Sequence, residues 1–447
     1  MDTGISPYHS VKLYEERCKG CTVCVTSCPA EAIRVRGGKA HILDERCIDC
    51  GECIRRCQSK AKYASSPDIS VLSNFDRTTV LIPPAFYTQF SEIYTVSEIH
   101  TALKKIGFTY TADVAEDALA ISQRTAQFLK ENKTTPRPII SSSCPAVTKL
   151  IQIRFPALID NILPLIPPVE HAARRMRTAL SDKPGTHGIF FISPCPAKMT
   201  AVRVPVGYEP SQIDGAFSIG SIYLPVLSIL RRLTEENDAD AAQQTHIELS
   251  PGAVWCRETG EAHCVSRCMG TPPQWLSASG IEQVIETLEA IEDGQLDTYD
   301  FVELDACTGG CVGGPLMTHS VPQANTIARA RLRPCSSIPE AKAAVIPPPE
   351  SSPADVRFNE EIVPRPARRL SENFAEARKR MERIEQIAET LPGLDCGSCG
   401  APNCRALAED IVCGSARLED CIVIMKQKYE EYLFGNNSAP EHDPKQF

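Results

Sequence analysis

The stretch Ala306–Gly314 reads ACTGGCVGG, with Cys307 and Cys311 four residues apart and enclosed by glycines. Glycine beside a thiolate lets the backbone come close to a bulky inorganic core. Two further cysteines stand upstream in equally small, turn-prone settings. They are Cys144 in Ser141-Ser142-Ser143-Cys144-Pro145, and Cys195 in Ser193-Pro194-Cys195-Pro196-Ala197-Lys198. Each follows an apolar strand-like run, Ile139–Ile140 and Ile189–Ile192, as expected of ligands at strand ends. By chemistry alone these segments make one four-thiolate site assembled from distant parts of the chain. Around them, from about 70 to 335, strand-like runs (Thr79–Ile82, Gly188–Ile192) alternate with helix-like ones (Ser97–Ile106, Glu282–Ile291). That alternation predicts an α/β body.

Toward the N-terminus, residues 1–66 hold eight cysteines in two similar halves. Cys18, Cys21, Cys24 and Cys28 are spaced C-x2-C-x2-C-x3-C and followed by Pro29. Cys47, Cys50, Cys53 and Cys57 repeat the spacing, with Gln58 in the proline's place. Three thiolates so close can wrap three corners of one iron–sulfur cube, and the fourth corner needs a ligand from elsewhere. The pattern resembles the bacterial two-cluster ferredoxins, in which the fourth cysteine of each run ligates the other cluster. That resemblance implies one [4Fe–4S] cluster on Cys18, Cys21, Cys24 and Cys57, and a second on Cys47, Cys50, Cys53 and Cys28. The linking segment Ala32–Leu43, with Gly37-Gly38 at its middle, reads as a hairpin. Zinc usually takes two separated cysteine pairs, so two complete four-cysteine runs argue against it.

Toward the C-terminus, residues 336–366 are rich in proline and read as a semi-extended linker. In the 367–435 domain, Phe374, Met381, Ile384, Ile387 and Leu391 recur near helical spacing and stop at Pro392-Gly393. Cys396, Cys399, Cys404 and Cys421 follow as C-x2-C-x4-C-x16-C, with "CRALAEDIV" opening a helix behind the third. This motif resembles a small [4Fe–4S] domain, with zinc as the alternative. Cys413 inside the x16 segment reads as a buried helix residue. Residues 436–447 form a polar tail.

The bulk composition agrees with a multidomain redox protein. The chain has 447 residues, 21 of them cysteine, with 43% hydrophobic and 23% charged residues. A net charge of −9 argues against nucleic acid or an anionic membrane surface as partner. No apolar run approaches the ~18 residues of a transmembrane helix, and Met1–Cys18 lacks the apolar core of a secretory signal. A cytoplasmic location is therefore expected, where thiols stay reduced and clustered cysteines bind metal.

The three central segments resemble the signatures TSCCP, PCxxK and ACxGGCxxGG of the [FeFe]-hydrogenases, in the same order. With the ferredoxin-like start, the likeness covers roughly residues 10–320. It implies a three-part fold: a bacterial ferredoxin-like domain (1–66), an α/β catalytic domain (70–335) and a small helical Fe–S domain (367–435). It further implies that Cys144, Cys195, Cys307 and Cys311 hold a [4Fe–4S] cube. Cys311 would bridge that cube to a two-iron centre carrying CO, cyanide and an azadithiolate. Lys198 would hydrogen-bond an iron-bound cyanide, as a buried ammonium can. The activity implied is reversible H2 oxidation and proton reduction. The partners implied are an electron-transfer or redox-signalling protein and the maturation proteins of the two-iron centre.

Several positions depart from the family pattern. Ser143 stands where a cysteine usually relays protons, and a hydroxyl is far less acidic than a thiol, so slow turnover is expected. Val147 replaces a tryptophan, Ser193 and Asp305 replace methionines, and Ala201 replaces a glutamate. A serine of the usual proton route is absent around Pro167-Pro168. Glu170 beside it is either a substitute or a surface helix residue. These changes resemble the divergent, slow or sensory members. The second reading is an electron-transfer or iron–sulfur assembly protein without the two-iron centre. Cys256, Cys264 and Cys268, with His263, are either one more metal site or thiols in a loop packed near the active site. Cys335 opens the linker without a role.

Overall fold

A computed structural model describes residues 8–235, 249–332, 356–365 and 370–434. Cys335, most of the proline-rich segment and the polar tail lie outside the described residues. Contacts divide the chain into two compact units. The first comprises Met1–Lys12, Ile48–Arg55 and Lys62–Arg365; the second comprises Leu13–Cys47, Arg56–Ala61 and Pro366–Phe447.

The first unit is built on two parallel sheets. The strands are β1 (Arg77–Ile82), β2 (Tyr110–Asp113), β3 (Ile139–Ile140), β4 (His187–Ser193), β5 (Gly215–Ser218), β6 (Trp275–Ser279) and β7 (Phe301–Asp305). One sheet runs β2-β1-β4-β5 and the other β6-β7-β3, every pairing parallel. The sequences explain this. RTTVLI and HGIFFIS are nearly unbroken apolar runs, the composition of strands covered on both faces. Crossover helices supply the cover. Val96–Ile106 starts at a capping box in which Thr95 and Glu98 satisfy each other's backbone N–H groups. Val114–Glu131, Pro168–Ala179 and Ile219–Glu235 complete the wrapping. Phe86, Phe90, Phe108, Phe190 and Phe217 are buried in one core cluster. Several of these rings meet edge-on, as Phe86–Phe90 and Phe108–Phe217 do.

The strand and helix runs expected from periodicity fall within these elements, and the α/β body stands. The end of the proline-rich segment is tied down. Ile166 N–H donates to the Val356 carbonyl, Phe358 N–H to the Pro164 carbonyl, and Arg365 N–H to the Gln152 carbonyl.

The second unit contains the hairpin Ile33–Arg36 and Lys39–Ile42, antiparallel, with Gly37 and Gly38 both left-handed at its tip. Its helices Phe374–Thr390, Cys404–Val412 and Ile422–Phe434 enclose a small core of Ile384, Leu391, Ala406 and Leu407. The two N-terminal cysteine runs also match in backbone. Gly20 and Asp49, Thr22 and Gly51, and Glu31 and Lys60 are all left-handed, at equivalent offsets from their cysteines. Non-glycine residues adopt that conformation rarely, so the repeat is one of conformation as well as spelling.

Candidate metal centres

Three of the central cysteines sit just beyond the C-terminal end of a parallel strand. Cys144 follows β3 and caps the helix Pro145–Arg154; Cys195 follows β4 and caps the turn of helix Pro196–Ala201. Proline at the first helical position presets the backbone angle with which each helix begins. Cys307 follows β7, and Cys311 lies in the 3-10 turn Gly310–Gly313. Strand ends of open α/β sheets are where such folds converge their functional groups. Leu316 N–H donates to the Pro194 carbonyl at 3.1 Å, tying the Cys311 loop to the Cys195 loop.

The four thiols come together. Burial pushes the Cys307 thiol well up, and the charges of Cys195, Cys144 and Cys311 push the same way. Burial likewise raises Cys195 to about 12 and raises Cys144 and Cys311. Four mutually interacting, desolvated thiols fit a [4Fe–4S] cube, whose iron supplies the positive charge that thiolates lack here. Lys198 Nζ donates to Cys311 Sγ at 3.2 Å. Burial alone would lower its pKa, but the charges of Cys311, Cys195 and Cys144 raise it, so the side chain stays an ammonium.

A cavity opens on this group. Of the four thiols, Cys311 alone borders it, together with Lys198 and Ser143. Its lining includes the apolar Pro83, Ala85, Val114 and Phe191 and the acidic Glu261, Glu303 and Asp305. Burial pushes the Glu261 carboxyl up to about 7, against hydrogen bonds from Ser141 and Ser143 that pull it down. Ser141 Oγ donates to Glu261 Oε2 at 2.7 Å. Burial raises Asp305 to about 6, opposed by the Lys198 ammonium. Glu303 is raised further, by burial and then by the charges of Asp305 and Glu261.

Glu261 and Glu303 are cavity residues that no motif points to. Glu261 looks like surface charge in RETGEAH, but Glu303 carries a signal: it interrupts Phe301–Leu304, a strand of a buried parallel sheet. Glu170 is buried rather than on the surface, and it does not border the cavity. Its carboxylate accepts from Arg174, Ser211 and the Gln212 N–H. Ser193 and Val147 are fully buried, and the Ser193 hydroxyl donates to the Cys195 carbonyl.

Among the described residues, Cys256, Cys264, Cys268 and His263 do not form a single-ion ligand group. Cys264 and Cys268 belong to an apolar core cluster; Cys256 borders the cavity, held by an Sγ–H donated to the Ala253 carbonyl. They lie on or at the end of short helical turns, Pro251–Cys256 and Gly260–Arg267, rather than in a loop. His263 turns to the Thr259 carbonyl and the Trp275 ring.

At the termini, the fourth cysteines of the two N-terminal runs behave alike. Cys28 Sγ accepts from Ala32 N–H at 3.3 Å and Cys57 Sγ from Ala61 N–H at 3.2 Å. Sulfur accepting a backbone N–H four residues on suits a thiolate ligand. In the C-terminal motif, Cys399 feels the charges of Cys421 and Cys396, and Cys399 and Cys404 pack in the same small core as Cys421. That set fits one metal cluster. Cys413 is half-buried at the C-cap of helix Cys404–Val412, not within it.

The profile described as "Iron only hydrogenase large subunit, C-terminal domain" matches residues 76–214 and 228–315, just over half the chain. The chain belongs to the iron-only hydrogenase family. A 4Fe-4S dicluster domain matches residues 10–58, and an Fe–S cluster domain matches 391–423. In chain order, a 4Fe-4S dicluster domain precedes the hydrogenase-like body and an Fe–S cluster domain follows it.

Curated relatives match short segments. A component of the Na+-translocating ferredoxin:NAD+ oxidoreductase complex of Acetobacterium woodii is 49% identical over 41 residues, 9% of this chain and 12% of that protein. A component of an ion-translocating oxidoreductase complex of Rhodobacter capsulatus is 47% identical over 38 residues, 8% and 20%. An uncharacterised protein of Methanocaldococcus jannaschii is 33% identical over 52 residues, 12% and 23%. The chain thus spans less than a quarter of the length of each. Among solved structures, an [FeFe]-hydrogenase of Chlamydomonas reinhardtii superposes with TM-score 0.47 and 15% identity, over 67% of this chain and 98% of that one.

No helix among the described residues is long and apolar enough to cross a membrane.

Proposed function

We propose that this chain interconverts protons and H2 slowly, 2H⁺ + 2e⁻ ⇌ H2, with Cys311 among the residues that would hold a two-iron centre, and reports H2 through the redox state of its clusters. The observation that carries the reading is the cavity that meets Cys311 and none of the other three cluster thiols, with the Lys198 ammonium at its edge. When bound, the two-iron centre with its CO, cyanide and azadithiolate supplies the metal chemistry of the reaction. The chain's residues do the rest. Lys198 offers a charge-assisted hydrogen bond to an anionic ligand, stronger for being shielded from water. Pro83, Ala85, Val114 and Phe191 keep their part of the lining dry.

Ser143 and Glu261 hold protons in the cavity lining, where a carboxyl titrating near neutrality can both accept and donate. Serine is a poor acid, which makes this delivery slow. Electrons reach the site through the second N-terminal run: Arg55, two residues from Cys53, donates to the Gly313 carbonyl near Cys311. The partners are an electron-transfer or redox-signalling protein and the maturation proteins of the centre. The working compartment is the cytoplasm.

An electron-transfer or assembly protein without the two-iron centre leaves the cavity and its ammonium without use. Infrared spectroscopy after maturation separates the two readings. Bands of iron-bound CO and cyanide are expected, and a matured protein without them would sink the proposal.

A further inference from the structure

Within the second unit, the C-terminal cysteine motif lies directly on the first N-terminal cysteine run. Gly397, between Cys396 and Cys399, meets Thr26: a Cβ added there would stand 2.6 Å from Thr26 Cγ2. Thr26 is two residues from Cys24 and two from Cys28, so it sits between a ligand of each N-terminal cluster. Gly400 approaches Val35 even more closely, with the Val35 N–H donating to the Gly400 carbonyl at 2.8 Å. Both glycines are left-handed, so neither contact tolerates a side chain. Asn403, next to Cys404, donates to Glu31 Oε1 at 2.7 Å.

A buried ion cluster fastens this face. Arg34 Nε donates to Asp410 Oδ2 at 2.6 Å and Arg36 Nη2 to the same oxygen at 2.8 Å; Arg46 grips Glu409 with 2.7 and 2.8 Å contacts. Arg34 and Asp410 are almost wholly buried. The two guanidiniums also reach the ligands. Arg36 Nη1 donates to the Cys399 carbonyl at 2.8 Å, and Arg34 lies close enough to Cys28 for its charge to favour that thiolate. Arg34 keeps one buried nitrogen, Nη2, without a hydrogen-bond partner. Desolvating three arginines and two carboxylates is costly and needs a fixed geometry in return.

We infer that the Arg34–Arg36–Asp410 cluster clamps the C-terminal [4Fe–4S] cluster against the first N-terminal cluster, on Cys18, Cys21, Cys24 and Cys57, making them direct one-electron partners. One electron passes from a reduced cluster to an oxidised one; no bond breaks and no proton moves. The C-terminal domain is then a functional end of the electron chain, where a one-electron carrier can give or take charge. This holds whether or not the two-iron centre is present.

The test uses the full chain produced without maturation of that centre. Pulsed EPR of the reduced protein reads the spin relaxation of the N-terminal clusters. Cys396→Ser/Cys399→Ser, checked by iron and sulfide content to lack one cluster only, is expected to lose the relaxation enhancement the third cluster provides. Asp410→Asn, with full iron content, is expected to weaken it. Relaxation that stays the same with and without the C-terminal cluster overturns the inference, as does zinc bound at Cys396–Cys421. Should Asp410→Asn fail to fold, the double cysteine variant alone decides.

Discussion

At the scale of single residues, position 143 governs proton supply in the proposed reaction. Ser143 borders the cavity with Glu261, and a serine hydroxyl is a weak acid at neutral pH. Ser143→Cys is therefore expected to raise H2 turnover about 100-fold, the lower end of what a positioned proton-transfer group contributes. An unchanged rate would show that proton delivery through this position is not limiting. Glu261→Gln is expected to lower turnover about 100-fold. The sign of its pH dependence follows from the carboxyl's position near 7: it is mostly protonated below that pH and a carboxylate above it. Acting as proton donor, it serves H2 formation when protonated, so the wild-type H2-evolution rate should fall as pH rises through about 7, and the Glu261→Gln pH–rate profile should lose that inflection. Ser141 holds the Glu261 carboxylate through a 2.7 Å hydrogen bond.

At the scale of elements, the cavity keeps its shape because two helices are locked across it. Val114 and Ala118 border it from helix Val114–Glu131, and Pro168 and Val169 from helix Pro168–Ala179. Asp117, fully buried on the first helix, accepts from Arg175 at 2.7 and 3.0 Å and pairs with His171 at 2.7 Å, both on the second. Removing one member of such a network leaves the others buried and uncompensated. Asp117→Ala is expected to cost about 3–5 kcal/mol, measured by urea denaturation of the full chain, and to lower cofactor retention with it.

At the scale of the molecule, the two units differ in what holds them. The first has large apolar clusters around its sheets. The second has a core of a few side chains, several of them alanines, and contains every ligand assigned to the first N-terminal and the C-terminal clusters. When a core is that small, metal binding supplies much of the folding free energy. Removal of iron by a chelator is expected to unfold helices Phe374–Thr390 and Cys404–Val412 while the parallel sheets persist. Hydrogen exchange resolved by segment will read this. Equal protection in both units after iron loss would contradict it.

The sequence by itself determined the cluster motifs, because iron–sulfur ligation depends on local spacing that a chain carries wherever it folds. Cys18–Cys28, Cys47–Cys57 and Cys396–Cys421 are legible for that reason, whereas the three central segments lie far apart and are read together through the family resemblance. So are the strands around Thr79–Ile82 and Gly188–Ile192, whose burial is written in unbroken apolar runs. Only the tertiary structure decided which groups share a cavity. Glu261 lies 118 residues from Ser143 in the chain and reads as ordinary surface charge until burial raises its pKa. Cys256, Cys264 and Cys268 suggest a further motif by their spacing, yet two face an apolar core and one the cavity, because helix direction, not spacing, sets where a thiol points. The Arg34–Asp410 pair joins residues 376 apart. Proximity of that kind is a product of packing, and no local pattern encodes it.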